Sequence, residues 1–143
     1  MKKITVLGAG LVGKLIAIDL SERYAVTAVD QDANALEELK RFSSIKTVRK
    51  DLSEVGAVRK LVADSDLVIG AVPGFMGYKV VREVIESGKN MVDISFFSED
   101  PFELDDLAKN NGCCILTDCG VAPGIGNLIL GYHNEKIDVN NFR

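Results

Sequence analysis

The chain has few of the residues that metal sites and disulfide scaffolds require. Its 143 residues include one histidine and three cysteines, Cys113, Cys114 and Cys119. With a single histidine, we expect no closed zinc site. An odd cysteine count favours reduced thiols in the cytoplasm over a disulfide framework.

The chain also lacks a long hydrophobic run and an excess of positive charge. No apolar stretch reaches the ~20 residues of a membrane-spanning helix. The first 13 residues combine two lysines with apolar side chains, but glycines interrupt this stretch, which is not typical of a signal peptide. The formal net charge of −4 argues against nucleic acid or an anionic membrane as a partner.

Short apolar runs alternate along the chain with segments of helical periodicity, without repeats or linkers. The runs predict strands over residues 3–8, 25–30, 45–50, 65–73, 90–95 and 113–120. The segments between and after them predict helices over residues 11–23, 33–42, 54–64, 77–88, 100–112 and 122–135. This alternation predicts an α/β fold, a Rossmann-type doubly wound parallel sheet of six strands in the order 3-2-1-4-5-6, with helices on both faces.

Several residues predict where the helices begin and end. Asp32 and Asp100 are expected N-caps, and Asp51 or Ser53 is expected to cap the third helix. Pro101 suits a first helical position. Gly88 and Gly112 are expected to end the helices that precede them.

The motif Gly8-Ala-Gly10-Leu-Val-Gly13 follows a predicted strand and opens a predicted helix. In that context Gly8 allows a tight turn, Gly10 lets the backbone approach a pyrophosphate, and Gly13 allows close helix packing. The helix N-terminus would supply N–H groups and a partial positive charge to the phosphates. The motif therefore predicts a dinucleotide site rather than a turn used only for packing.

Asp30 ends the second predicted strand, where a carboxylate would accept hydrogen bonds from the ribose of the adenosine. A 2′-phosphate would meet its negative charge, so the sequence favours NAD over NADP. The residues that we predict to bind the cofactor are Gly8, Gly10, Leu11, Val12, Gly13, Asp30, Gln31, Asp51, Leu52, Ala71, Val72, Pro73 and Gly120. Asp51 is equally consistent with a helix cap, and Pro73-Gly74 with a simple turn.

A second glycine-rich turn follows the sixth predicted strand. We expect that strand to end at Asp118-Cys119-Gly120 and a helix to begin at Pro123. The carboxyl ends of parallel strands lie at one edge of the sheet, so residues 118–124 would line the nicotinamide end of the cleft. The thiol of Cys119 would then face the cleft.

Three segments resemble the saccharopine dehydrogenase-like superfamily: VLGAGLVGK (residues 6–14), ESGKNMVDISF (residues 86–96) and TDCGVAPGIGN (residues 117–127). The form DCGVAPG looks closer to the lysine 6-dehydrogenase and carboxynorspermidine dehydrogenase branch than to NADP-linked saccharopine reductases. The resemblance extends to about residue 130, so we expect a dinucleotide-binding domain over residues 1–130.

The resemblance implies an oxidoreductase that transfers a hydride between nicotinamide and the carbon of an amine or imine. It implies that Asp93 and Cys119 lie near the reacting groups and are catalytic, with Ser95 and Asp118 as weaker candidates. A loop-bridging role for Asp93 and simple packing of Cys119 are the structural alternatives.

Members of this superfamily normally carry a second α/β domain that builds most of the substrate pocket and supports a homodimer. The resemblance therefore implies an amino acid or amine substrate for the full-length enzyme, and residues 131–143 as a tail where that domain would start. His133 would be a polar surface residue.

Two readings from other functional classes remain open at this point. One is a non-catalytic Rossmann module that binds or senses NAD(H). The other is the ligand-sensing domain of potassium channels, which has a similar glycine motif and acidic strand end. The DCGVAPG segment favours the oxidoreductase, because a channel regulatory domain has no evident use for it.

Overall fold

The fold was analysed in a computed structural model, which describes residues 1–42 and 44–141. The strands are β1 Lys3–Leu7, β2 Ala25–Asp30, β3 Ile45–Arg49, β4 Leu67–Gly70, β5 Met91–Asp93 and β6 Ile115–Leu116. The helices are α1 Leu11–Ser21, α2 Ala33–Leu39, α3 Ala57–Val62, α4 Gly74–Glu86, α5 Asp105–Asn110 and α6 Ile125–Asn134, with a 3-10 helix at Pro101–Leu104.

The strands form one parallel sheet in the order β3-β2-β1-β4-β5-β6, which confirms the predicted topology. Strand β1 is central, with Val6 level with Ala28 of β2 and Ile69 of β4. The chain order reverses between β1 and β4, and ligands bind at such a reversal in open α/β sheets.

Both faces of the sheet are buried, as an alternating strand–helix sequence requires. On one face, Ile4 and Val6 pack with Ala17 of α1 and Leu36 of α2. On the other face, Leu7, Val29 and Val68 pack with apolar side chains of α3 and α4, including Val58, Val62, Val80 and Val84. Burying each such side chain stabilises the fold by about 1.5–3 kcal/mol.

The predicted N-caps Asp32 and Asp100 and the predicted helix-ending glycines Gly88 and Gly112 are confirmed. The Asp32 carboxylate accepts a hydrogen bond from the Asn34 N–H at 2.8 Å, and the Asp100 carboxylate accepts one from the Phe102 N–H at 2.9 Å. Gly88 and Gly112 follow their helices with φ values of +64° and +63°. These local signals operate over a few residues and do not depend on the tertiary fold.

The predicted start of α3 is wrong. Neither Asp51 nor Ser53 caps it, because the helix begins only at Ala57, after Gly56. The Asp51 carboxylate instead accepts a hydrogen bond from the Ser53 N–H at 2.8 Å and closes a tight turn. Helix α4, conversely, begins at Gly74 and not at Gly77.

The predicted end of the sixth strand and the predicted start of the last helix are also wrong. Strand β6 stops at Leu116, and the backbone turns at Asp118, where φ is +56°. The turn then closes by a hydrogen bond from the Ile125 N–H to the Gly120 carbonyl at 3.0 Å. Helix α6 therefore begins at Ile125, and Pro123 lies in the turn before it.

Helix α6 contributes no buried residue to the core. Its apolar side chains Ile125, Leu128, Ile129 and Tyr132 are exposed, and His133 on the same helix is exposed as expected. None of the helices within residues 1–42 and 44–141 combines the length and the apolar character needed to cross a bilayer.

Candidate functional site

A cleft of about 510 Å³ opens at the carboxyl ends of the strands, at the reversal between β1 and β4. This volume is typical of small-molecule sites. The segments that follow β1, β2, β3, β4 and β5 all contribute to its walls. Of the residues predicted to bind the cofactor, those that line it are Gly8, Gly10, Leu11, Val12, Gly13, Asp30, Gln31, Asp51, Leu52, Ala71, Val72 and Pro73.

The three glycines of the first turn have different structural requirements. A Cβ on Gly8 would lie 2.4 Å from the Ala71 carbonyl oxygen, and one on Gly13 would lie 2.1 Å from the Gly8 carbonyl oxygen. A Cβ on Gly10 would meet no protein atom within 4 Å. Packing therefore requires Gly8 and Gly13 but not Gly10, whose missing side chain leaves the mouth of the cleft open.

The N-terminus of α1 points its first N–H groups at this open space. Gly10 is the N-cap residue, and no side chain caps the helix. Uncapped N–H groups and the helix dipole together favour an anion such as a phosphate. The geometry of the turn thus suits a pyrophosphate.

Asp30 is held in one position at the mouth of the cleft. Its Oδ2 accepts a hydrogen bond from the Ala9 N–H at 2.6 Å, and its Oδ1 accepts one from the Asp32 N–H at 2.9 Å. These two bonds fix the carboxylate between the turn after β1 and the end of β2. The negative charge therefore lies at a defined point beside the glycine turn.

Two cations lie close to Asp30 that the sequence analysis did not consider. Arg49 is level with Asp30 on the neighbouring strand, and its Nε donates a hydrogen bond to the Gln31 carbonyl at 3.1 Å. Lys50 lines the cleft and forms an ion pair with Glu54. Asp30 ends β2, whereas Arg49 ends β3 and Lys50 follows it, so the local sequence around Asp30 could not reveal that these two cations lie close to it.

Several residues at the other end of the cleft were not predicted from the sequence. Phe75 and Met76 lie in the first turn of α4, and Ile94 and Phe96 follow β5. The available signal was their position immediately after a strand that ends at the ligand edge. Ser95, predicted only as a weaker catalytic candidate, lines the cleft beside them.

Asp93, predicted to be catalytic, lies behind the wall of the cleft and is fully buried. Its Oδ2 accepts hydrogen bonds from the Ser95 Oγ at 2.5 Å and from the Ser95 N–H at 3.2 Å. Its Oδ1 has no hydrogen-bond partner within the described part of the chain. Burial raises the pKa of Asp93 to about 6, the two bonds from Ser95 oppose this rise, and the nearby Asp118 carboxylate adds to it.

The second glycine-rich turn also differs from the expectation, because none of residues 118–124 is among those that line the cleft. The Cys119 N–H donates to the Asp93 carbonyl at 3.0 Å, and a Cβ on Gly120 would lie 3.4 Å from the Ile94 carbonyl oxygen. The turn therefore packs behind the segment that follows β5.

Cys119 is half-buried, and its Sγ lies 3.5 Å from the Thr117 carbonyl oxygen. Burial raises the pKa of the Cys119 thiol, and the Asp93 and Asp118 carboxylates raise it further. The thiol is therefore neutral near pH 7 and suited to hydrogen bonding rather than to nucleophilic attack. Asp118 itself lines a different groove, formed with α4, α5 and β6.

Comparison with curated proteins identifies relatives along most of the chain. The NADP(+)-dependent, L-glutamate-forming saccharopine dehydrogenase of Saccharomyces cerevisiae is 26% identical over 129 residues, which cover 89% of this chain and 29% of that protein. The mitochondrial alpha-aminoadipic semialdehyde synthase of Rattus norvegicus is 27% identical over 131 residues, covering 90% of this chain and 14% of that protein. The chain thus spans less than a third of the length of these relatives.

Comparison with solved structures supports the fold. Apo saccharopine dehydrogenase (L-Glu forming) from Saccharomyces cerevisiae superposes with a TM-score of 0.84 at 24% identity, over 96% of this chain and 31% of that one. The family model described as the saccharopine dehydrogenase NADP binding domain matches residues 4–116. Because this match covers most of the chain and all but the last helix, the chain belongs to the saccharopine dehydrogenase NADP-binding domain family.

Proposed function

We propose that this chain is the pyridine-dinucleotide-binding domain of an oxidoreductase that acts on a carbon–nitrogen bond. The observation that carries the proposal is the first glycine turn, where packing requires Gly8 and Gly13 while Gly10 faces open space. Such a turn is used for close approach of a backbone to a pyrophosphate. The family match supports the same ligand class, and a sensing module without turnover is not favoured by the named relatives.

The cleft suggests how a dinucleotide would lie in it. The pyrophosphate would bind at the N-terminus of α1, and Asp30 would accept hydrogen bonds from the adenosine ribose. Asp51 and Leu52 would flank the adenine, because they follow β3 on the same side as Asp30. The nicotinamide half would then extend past Ala71–Pro73 toward β5.

We further propose that the domain prefers NAD to NADP, although its family and the named yeast relative are NADP-linked. A 2′-phosphate would bring two negative charges close to the fixed Asp30 carboxylate. Lys50 is paired with Glu54, whereas Arg49 keeps its positive charge, because its Nε donates to the neutral Gln31 carbonyl. The proposed preference therefore rests on the repulsion between a 2′-phosphate and the fixed Asp30 carboxylate, which the Arg49 charge would partly offset.

When bound, the nicotinamide would supply the hydride chemistry. The buried Asp93 carboxylate holds both the Oγ and the N–H of Ser95, so it fixes the wall against which a substrate would lie. We assign Asp93 a positioning role through Ser95. We assign Cys119 a supporting role through its backbone N–H, which donates to the Asp93 carbonyl at 3.0 Å. The full-length enzyme would act on a small amino acid or amine substrate.

The cofactor preference can be tested by titrating the purified chain with NADH and with NADPH in a calorimeter. We expect tighter binding of NADH, and we expect Asp30→Ala to narrow the difference by improving NADPH binding. Asp64→Ala is the matched control, because this exposed aspartate lies at the opposite end of the sheet. Equal or tighter binding of NADPH by the unaltered chain would overturn the assignment.

A further inference from the structure

The cleft has a charged end and an apolar end. Beyond β2 and β3 its walls carry Asp30, Lys50 and Asp51. Beyond β4 and β5, no lysine, arginine, aspartate or glutamate of the described chain lines it. Apart from the Ser95 hydroxyl, the part of a ligand that reaches the second end therefore meets apolar and aromatic side chains.

Two phenylalanines at the apolar end are largely exposed to solvent. Phe75 is 87% exposed and Phe96 is 70% exposed, and both line the cleft. Their backbones are in contact through Gly74, where a Cβ would lie 1.9 Å from the Phe96 carbonyl oxygen. Exposed aromatic side chains that are grouped at a cleft are typical of a binding site, whereas exposed apolar residues elsewhere on a protein are usually scattered singly.

The buried ionisable group behind this end, Asp93, is acidic. The Asp93 carboxyl lies directly behind Ser95, and Asp118 is close enough to act on it electrostatically. Aromatic ring faces also carry negative potential and attract cations. The ring faces and the Asp93 carboxyl behind them therefore favour the same kind of ligand, a planar group with positive charge.

We propose that Phe75 and Phe96 form the nicotinamide subsite and bind the oxidised, cationic ring more tightly than the reduced, neutral ring. The inference rests on the proposed function, since it requires a dinucleotide in the cleft. The glycine turn takes the pyrophosphate and Asp30 takes the adenosine end, so the remaining half reaches the two phenylalanines. Both side chains thereby influence which redox form of the cofactor the domain retains.

The test uses calorimetric titrations of the chain with NAD⁺, NADH and ADP-ribose at about pH 8. Phe75→Leu and Phe96→Leu keep the apolar character but remove the ring. We expect each to weaken NAD⁺ binding roughly two- to five-fold, which corresponds to an exposed cation–π contact. We expect a smaller loss for NADH and none for ADP-ribose, which lacks the nicotinamide. Phe102→Leu is the matched control, because Phe102 is 81% exposed but lies outside the cleft.

Two outcomes would overturn the inference while leaving the proposed function intact. One is unchanged NAD⁺ binding in both cleft variants, and the other is an equal loss for NAD⁺, NADH and ADP-ribose. If the unaltered chain binds neither ADP-ribose nor NAD⁺, the proposed function fails and this inference fails with it. A loss for NAD⁺ of the same size in Phe102→Leu would also contradict a specific subsite.

Discussion

The free energy of unfolding of the unaltered chain should decrease as the pH rises, because Asp93 is buried. The Asp93→Asn variant is expected to lack this decrease. Asp93 is fully buried, and its Oδ1 has no hydrogen-bond partner within the described chain. Its pKa is raised from 3.8 to about 6, mainly by burial. A difference of about 2 pKa units corresponds to roughly 3 kcal/mol of the free energy of unfolding.

The direction of the stability change follows from the higher proton affinity of Asp93 in the folded state. Below the unfolded-state pKa, Asp93 is protonated in both states and its burial carries no charge penalty. Between about pH 3.8 and about pH 6 the unfolded chain has lost this proton while the folded protein still holds it, so the free energy of unfolding falls as the pH rises and levels off above about pH 6. Asparagine cannot ionise, so the variant should lack this pH-dependent decrease in the free energy of unfolding.

The assay is urea unfolding of the unaltered chain and of Asp93→Asn from about pH 3.5 to about pH 8. The stability of the variant relative to the unaltered chain should increase by roughly 3 kcal/mol across this range. Carboxyls with lowered pKa, such as those of Asp51 and Asp66, are common to both proteins and cancel in the difference. Parallel pH profiles for the two proteins would refute the reasoning, and Asp64→Asn serves as an exposed control.

Three further outcomes are expected. Gly10→Val should abolish dinucleotide binding without unfolding the chain, because its side chain would enter only the open cleft; Gly126→Val, at an open position on α6, should bind normally in the same titration. Cys114 should react with a thiol reagent faster than Cys119 when rates are measured by mass spectrometry, because Cys114 is exposed while Cys119 is half-buried with a raised pKa. The chain alone should show little or no reduction of NAD⁺ with lysine or saccharopine in a spectrophotometric assay, because misplacing a substrate by ~1 Å can cost about a hundredfold in rate; robust turnover would contradict this expectation.

The sequence was sufficient to predict the strand order of the sheet and the residues that line the cleft around the first glycine turn. Strand β2 was predicted with its exact bounds, and the caps Asp32 and Asp100 were identified. These features depend on periodicity and on hydrogen bonds between near neighbours. The predicted positions after β1, β2, β3 and β4 do line the cleft, because parallel order alone fixes which strand ends meet.

The second half of the site could not be predicted in the same way. Asp93 was expected at the reacting groups, but its side chain turns onto Gly70, where a Cβ would lie 1.9 Å from the Asp93 Oδ1. That orientation depends on a glycine in the neighbouring strand. The short β6 likewise depends on pairing with β5, which has only three residues itself.

The central claim, that this cleft binds a pyridine dinucleotide, is tested most directly by nuclear magnetic resonance. The ¹⁵N-labelled chain would be titrated with NADH, and the perturbed amides mapped onto the sequence. The account predicts the largest shifts in the turn Gly8–Gly13, at Asp30 and Gln31, and from Ala71 to Phe75. Shifts confined to another surface, such as the groove between α4, α5 and β6, or no shifts at saturating NADH, would contradict it.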